Sequence, residues 1–237
     1  MKKRDYGLAV IAMMCVILAG LIFSFWMAIY GDSEYRFYEK EYRKYCVTDA
    51  LDMDMEDVMD VTDHMMAYLI GKEDVLSVTT LVEGKTQDFF NEQDRLHMAD
   101  VKNLFLGGIR VGWICLVTGV VLLGILIRKG VDWRRLFLKS YSMALGAWAL
   151  LLAFLGIAFA VDFTRCFTIF HQIFFTNDLW MFDPDTDYMI RMLPEGFFSD
   201  MVVRIVLTFV VFLVLLWVLL FIPGKLKREK KINKINL

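Results

Sequence analysis

The chain has 237 residues, of which 58% are hydrophobic and 23% charged, with a formal net charge of only -2. A soluble domain averages about 45–50% apolar and about 25% charged residues, so the apolar excess is the anomaly. Disorder is excluded by that excess, four cysteines are too few for a disulfide-framed miniprotein, and the near-neutral total argues against a nucleic-acid binder, whose affinity would come from clustered cations meeting phosphate. What remains is segregation along the chain, with apolar blocks in lipid and charged blocks in water.

Four stretches are long enough to cross a bilayer core of about 30 Å, which takes roughly 20 apolar residues in a helix. They run from Leu8 to Tyr30, Leu104 to Ile127, Met143 to Val161 and Val202 to Ile222. The first follows Met-Lys-Lys-Arg, but its apolar core exceeds the roughly 7–15 residues of a secretory signal, and it reads as a retained anchor. Cys15 follows Met13 and Met14 rather than small residues, so the chain does not read as a lipoprotein itself.

Charge sorts the connections. The N-terminus (Lys2, Lys3, Arg4), the second connection (Arg128, Lys129, Arg134, Arg135, Lys139) and the tail (Lys225, Lys227, Arg228, Lys230, Lys231, Lys234) hold 14 of the 26 cations and only Asp5, Asp132 and Glu229 among the acids. By the positive-inside rule these segments face the cytoplasm, and the intervening segments, which carry the other 25 acids, lie outside. The expected fold is therefore an all-α membrane protein of four transmembrane helices with both termini cytoplasmic, a small extracytoplasmic α+β cap and an aromatic outer segment. Residues 1–30 form the N-terminus and first helix, 31–103 the cap, 104–161 the second and third helices with their basic loop, 162–201 the aromatic segment, and 202–237 the fourth helix and basic tail. Arg110 and Arg204 sit near the outer ends of their spans. They either snorkel toward headgroups or face the bundle and hold an anionic or carbonyl group of a lipid-like substrate.

Within the first outer segment, Tyr35 to Tyr45 either continues the first helix or lies along the membrane surface. Met55 to Ile70 has apolar residues at helical spacing and stops at Gly71. Val75 to Phe90 alternates like a strand pair turning at Glu83-Gly84-Lys85. Asp94, His97 and Asp100 follow at three-residue spacing, which puts them on one helix face just before the second span. A carboxylate one turn from an imidazole fixes its tautomer and raises its basicity. His64, beside Asp60 and Asp63, reads as solvated.

The second outer segment is aromatic and acidic, with turns at Asp183-Pro184-Asp185 and Pro194-Glu195-Gly196, and reads as partly re-entrant in the interface. His171 lies within Phe170 to Phe175, where poor hydration lowers an imidazole's pKa and leaves it neutral, as a general base must be. His97 and His171 thus come from different segments that border the same membrane face, an arrangement suited to acid/base work. The chain lacks His-Glu-x-x-His and Cys-x-x-Cys, so no metal is assigned. It also lacks Gly-x-Ser-x-Gly and a Walker loop, so neither a serine lipase nor a nucleotide-driven pump is expected. Cys15 and Cys115 pack within spans, while Cys46 and Cys166 both lie outside, and whether they pair is open.

His97-Met-Ala-Asp100-Val-Lys102, Phe167-x-x-x-His171-x-x-Phe174-Phe175, Asn177-Asp178-x-Trp180 and Leu193-Pro-Glu-x-Phe-Phe198, together with the order of four spans, resemble the lipoprotein intramolecular transacylase family of Gram-positive bacteria. Asp94 stands where the family pattern leads one to expect Glu. The resemblance implies an acyltransferase of the cell membrane with its site on the extracytoplasmic side. It would move the sn-2 acyl chain of an S-diacylglyceryl-Cys to that residue's own α-amino group, giving the N-acyl, S-monoacylglyceryl lyso-form. Its partners are then a diacylglyceryl lipoprotein and membrane lipid, with no nucleic acid, nucleotide or cofactor. The resemblance makes His97 and His171 the catalytic pair. Asp94 or Asp100 would orient His97, and Arg110, Arg204 and Trp180 would contact substrate. His171 is read as the base toward the amine and His97 as the donor to the oxyanion or leaving oxygen, with the reverse assignment standing beside it. Two other readings are a non-catalytic membrane subunit that binds lipid or a partner protein, and a metal-dependent membrane hydrolase.

Overall fold

The computed structural model of the protein describes residues 3–129 and 132–235, with side chains as far as residue 220. Lys2 and the side chains of the tail cations from Lys225 to Lys234 lie outside the described residues. In chain order the elements are α1 (Lys3–Tyr30), α2 (Arg36–Lys44), α3 (Val47–Leu51), α4 (Met55–Leu69), β1 (Thr79–Val82), β2 (Lys85–Asp88), α5 (Glu92–Arg128), α6 (Trp133–Val161), α7 (Phe163–Phe174), α8 (Tyr188–Met192) and α9 (Glu195–Ile235). Among the described residues, α1, α5, α6 and α9 contain stretches long and apolar enough to cross a membrane. The protein is thus mostly helical, with four candidate membrane helices and one two-stranded sheet. The chain divides into two compact units.

One unit comprises residues 1–28, 109–158 and 204–237. Its core takes Ala9, Met13 and Ile17 from α1, Leu126 from α5, Leu136, Phe137, Tyr141 and Ala144 from α6, and Phe209 from α9. Four-residue spacing along α1 brings its small and apolar residues to one stripe. Between helices in lipid there is little hydrophobic driving force, so association rests on close packing at small residues. Gly20 meets that need, since a Cβ there would fall 1.9 Å from a ring carbon of Phe212. Gly119 does likewise, with the carbonyl of Ala12 only 3.0 Å from where its Cβ would stand. The Tyr141 hydroxyl donates to the carbonyl of Leu213 (2.8 Å), satisfying a polar group that lipid could not. Ile114, Val117, Phe154, Ile157, Leu207 and Leu219 point outward and are exposed. Apolar faces of this extent suit hydrocarbon and would be an aggregation hazard in water.

The other unit comprises residues 29–108 and 159–203. Helix α1 ends at Tyr30, and Tyr35 adopts a left-handed φ of 46°. Tyr35 to Tyr45 therefore starts a separate helix, α2, instead of continuing the first. Tyr38 and Tyr42 of α2 are buried, Tyr42 sharing a 2.8 Å hydrogen bond with Thr62 and stacking on Phe197 at 6.0 Å. The ring of Tyr45 runs so close to Gly196 that a Cβ at that position would stand 2.4 Å from it. Helix α4 buries Val58, Val61, Met65, Met66 and Leu69 and gives way to Gly71 at φ 77°.

The strand pair read over 75–90 narrows to Thr79–Val82 against Lys85–Asp88, from Thr79 opposite Asp88 to Val82 opposite Lys85. Glu83 and Gly84 both have positive φ (51° and 70°), as a two-residue type I′ turn requires. Glu83 is unusual there, and its carboxylate is held from α8 by Arg191 at 2.7 Å. His64, expected to be solvated, is half-buried, with Nε2 2.9 Å from the carbonyl of Val75, so it ties α4 to the approach of the hairpin. The four cysteines are free thiols, Cys46 and Cys166 among them.

Residues 162–201, read as a partly re-entrant outer segment, fold as α7, a loop, α8 and the opening turns of α9. The carboxylate of Asp162 caps α7 by accepting from the backbone N–H of Arg165 (2.9 Å). Helix α7 is amphipathic in an unusual sense, because Ile169, Phe170, Ile173 and Phe174 are exposed while His171 is buried.

Candidate active site

The site is built first on the opening turns of α5. Asn91 and Asp94 form a reciprocal capping box, in which the Asn91 side chain accepts from the Asp94 N–H (2.9 Å) and Asp94 accepts from the Asn91 N–H (3.0 Å). The Asn91 amide also donates to buried Asp187. Asp94 is fully buried, its second oxygen has no hydrogen-bond partner among the described residues, and burial pushes its pKa up to about 6.

One turn later comes His97, 6% exposed and seven residues before the apolar stretch that begins at Leu104. Its ring meets Phe175 edge-on at 5.1 Å and Phe182 at 5.3 Å. Nδ1 is buried without a hydrogen-bond partner among the described residues. Burial, reinforced by His171 and only partly opposed by Asp100, depresses its pKa to about 4. The imidazole is therefore neutral throughout the physiological range.

His171 faces inward from α7 and is 7% exposed. Its Nδ1 lies 2.7 Å from the carbonyl of Phe167, four residues earlier. A carbonyl only accepts, so Nδ1 carries the proton and Nε2 keeps its lone pair. Phe167 (4.3 Å), Trp180 (4.9 Å, planes 30° apart) and Phe175 (5.5 Å) pack around the ring. Burial lowers the pKa of this imidazole too, outweighing the contrary effect of the Phe167 carbonyl.

The two imidazoles lie 6.0 Å apart, centroid to centroid, and are tilted by only 28°. Residues 74 positions apart in sequence thus share one aromatic box, walled by Phe167, Phe175, Trp180 and Phe182. Two neutral imidazoles in such a box can take a proton from an incoming nucleophile and stabilise a developing oxyanion, with no charge to desolvate beforehand.

The other candidate residues fall in three places. Asp94 belongs to the helix cap. Asp100 accepts a hydrogen bond from the Asn177 amide (2.8 Å), and Trp180 lies on the ring of His171. Arg110 and Arg204 belong to the other compact unit, where Arg110 is exposed and the carbonyl of Arg204 accepts from Thr208 (2.9 Å). Sequence reasoning gave no role to Asn177, Gln93 or Phe182. Gln93 donates to the carbonyls of Leu179 and Met181 (3.1 and 3.0 Å), gripping the chain on either side of Trp180. The sequence signal for Asn177 was its place in Asn-Asp-x-Trp, but nothing local revealed the partner on α5. Among the described residues, no group of three or more His, Cys, Asp or Glu side chains could hold a metal ion.

The fold is similar to that of an in meso structure of the membrane-integral lipoprotein intramolecular transacylase Lit from Bacillus cereus, with 24% identity and a TM-score of 0.79 over 97% of this chain and 100% of that one. Variants of the same protein with one histidine replaced, by arginine or by alanine, each match at 24% identity and a TM-score of 0.76, covering 96% and 95% of this chain and 95% and 96% of theirs. At this identity the likeness establishes the fold alone. A comparison with curated proteins finds no match. The sequence model described as "Lipoprotein intramolecular transacylase Lit" matches residues 10–198, most of the chain. By that match the protein belongs to the lipoprotein intramolecular transacylase family.

Proposed function

We propose that the neutral imidazoles of His97 and His171 carry out the intramolecular acyl transfer of this family, at the extracytoplasmic surface of the cell membrane. The observation that carries the reading is the 6.0 Å approach of two buried histidines from separate outer segments. Two rings so close can both reach the reacting atoms of one ester, the attacking amine lying toward one ring and the developing oxyanion toward the other.

His171 is the base. Its Nδ1–H is committed to the Phe167 carbonyl, so Nε2 takes a proton from the α-amino group of the lipidated Cys as nitrogen attacks the sn-2 ester carbon. His97 serves through an N–H to the oxyanion, because with its pKa depressed to about 4 the ring is neutral near pH 7 and carries no second proton to give. When the intermediate collapses, the C–O bond to the glyceryl oxygen breaks and that oxygen takes the proton from His171. The products are an amide on the Cys nitrogen and a free sn-2 hydroxyl, and both imidazoles are again neutral. Amine and ester belong to one molecule, so holding it bent supplies much of the rate, with effective molarities up to about 10⁵–10⁸ M in well-oriented cases.

Asp94 supports His97 by fixing the first turn of α5, and Asp100 acts on it as a nearby negative charge. Arg110 and Arg204, at the outer ends of apolar spans, are suited to hold carbonyl or headgroup oxygens of the substrate. The outward orientation is supported by the cations of the N-terminus, the 128–139 connection and the tail.

Expression of this chain in a bacterium that makes diacylglyceryl lipoproteins but no N-acylated lyso-form tests the reading. Mass spectrometry of the lipoprotein N-terminal peptide should show N-acyl, S-monoacylglyceryl-Cys appearing with the protein. Retention of the diacylglyceryl form with a free amine would instead favour a non-catalytic membrane subunit.

A further inference from the structure

We propose that Asn177 is a positioning residue for the transfer, linking the helix that carries His97 to the indole that lies on His171. The inference rests on the histidine pair being catalytic, as proposed above. Asn177 sits just past the end of α7, and both polar atoms of its side chain and its main-chain carbonyl are engaged. Its Nδ2 donates to Asp100 Oδ2 at 2.8 Å, and its Oδ1 accepts from the backbone N–H of Leu179 at 3.1 Å. Its main-chain carbonyl accepts from the indole Nε1–H of Trp180 at 3.0 Å. The Trp180 ring then lies 4.9 Å from the ring of His171. Asp100 is one turn from His97 on α5, and its charge bears on that imidazole. One residue therefore joins the two segments that supply the pair, across 77 positions of sequence, beside the grip of Gln93 on the same loop.

The chemistry selects an asparagine. The position needs a donor toward a carboxylate and an acceptor toward a backbone N–H two residues on, and a primary amide at this reach supplies both. Aspartate would keep the acceptor but set two carboxylates face to face. Alanine would lose both bonds and release Asp100. Because catalytic distances are exacting, a displacement of about 1 Å costs up to about 100-fold in rate. The loss should fall on kcat, since Asn177 touches neighbouring protein groups and the box itself remains.

The test uses the full-length protein in detergent or nanodiscs with a synthetic diacylglyceryl-Cys peptide, comparing wild type, Asn177→Ala, Asn177→Asp, the reciprocal pair Asp100→Asn with Asn177→Asp, and His171→Ala. Both single Asn177 variants should lose about 10- to 100-fold in kcat with KM within about twofold. The reciprocal pair restores an amide–carboxylate hydrogen bond with donor and acceptor exchanged, and should recover most of the loss seen in Asn177→Asp. Near-normal kcat in Asn177→Ala beside a dead His171→Ala overturns the inference and leaves the histidine reading intact. A loss confined to KM, or a reciprocal pair that folds with wild-type thermal stability and shows no recovery, overturns it equally. An active His171→Ala overturns the histidine reading itself.

Discussion

Replacement of His171 by alanine should lower formation of the lyso-form about 10²- to 10⁴-fold, the range associated with loss of a positioned general base. The reason is specific to the nitrogen. With Nδ1 donating to the Phe167 carbonyl, the ring offers only Nε2 to substrate, and that atom carries the lone pair. An α-amino group has a pKa of about 7.7–8, so near neutrality a fraction is already free to attack. What the base removes is the second proton, which becomes acidic only as the C–N bond forms. Wild-type activity should accordingly rise with pH through the titration of the substrate amine, with no break near the ordinary histidine pKa of about 6.5, because both imidazoles are held below it. Added imidazole should restore part of the lost rate in His171→Ala. His64→Ala is the control, since that ring is tied to the Val75 carbonyl and serves α4.

Replacement of His97 by alanine should cost about 10²- to 10³-fold in kcat, as expected for removal of one oxyanion donor from a water-poor site. In the proposed role that N–H meets the oxyanion, which exists only beyond the ground state, so the loss should fall on kcat and KM should change little. Neutrality is what makes this role workable. An imidazolium beside a neutral His171 would have to be desolvated before any substrate arrived, whereas a neutral N–H costs far less to bury. Alanine also leaves a cavity against Phe175 and Phe182, so the variant's thermal unfolding should be recorded alongside its rate. The double variant should be little worse than His171→Ala alone, because residues that act as a unit are grossly non-additive.

Much of this was legible in the sequence because its causes are local. Apolar runs of roughly 20 residues specify the four long helices whatever surrounds them. Period-four burial in α4 and the Glu83-Gly84 turn follow from spacing and from the positive φ that the turn demands. The burial of His171 was legible too, since six of the eight residues within four positions of it are Phe or Ile. The rest depends on contacts between distant segments. Asp94, spaced for a role beside His97, is also the N3 residue of a capping box, and Asn91 three residues earlier was the available sign. Asp100 engages Asn177, a partner that only the closure of α7 onto α5 could supply. His64 has acidic neighbours in sequence but a backbone carbonyl in space.

The protonation of the histidine pair is most directly measured by nitrogen NMR of the ¹⁵N-histidine-labelled protein, with His97, His171 and His64 assigned by single replacement. The expected spectrum has His171 protonated on Nδ1 and bare at Nε2, and His97 neutral as pH falls until about 4. A proton on Nε2 of His171, or titration of both rings near the free-histidine value, would contradict catalysis by a neutral base and a neutral donor.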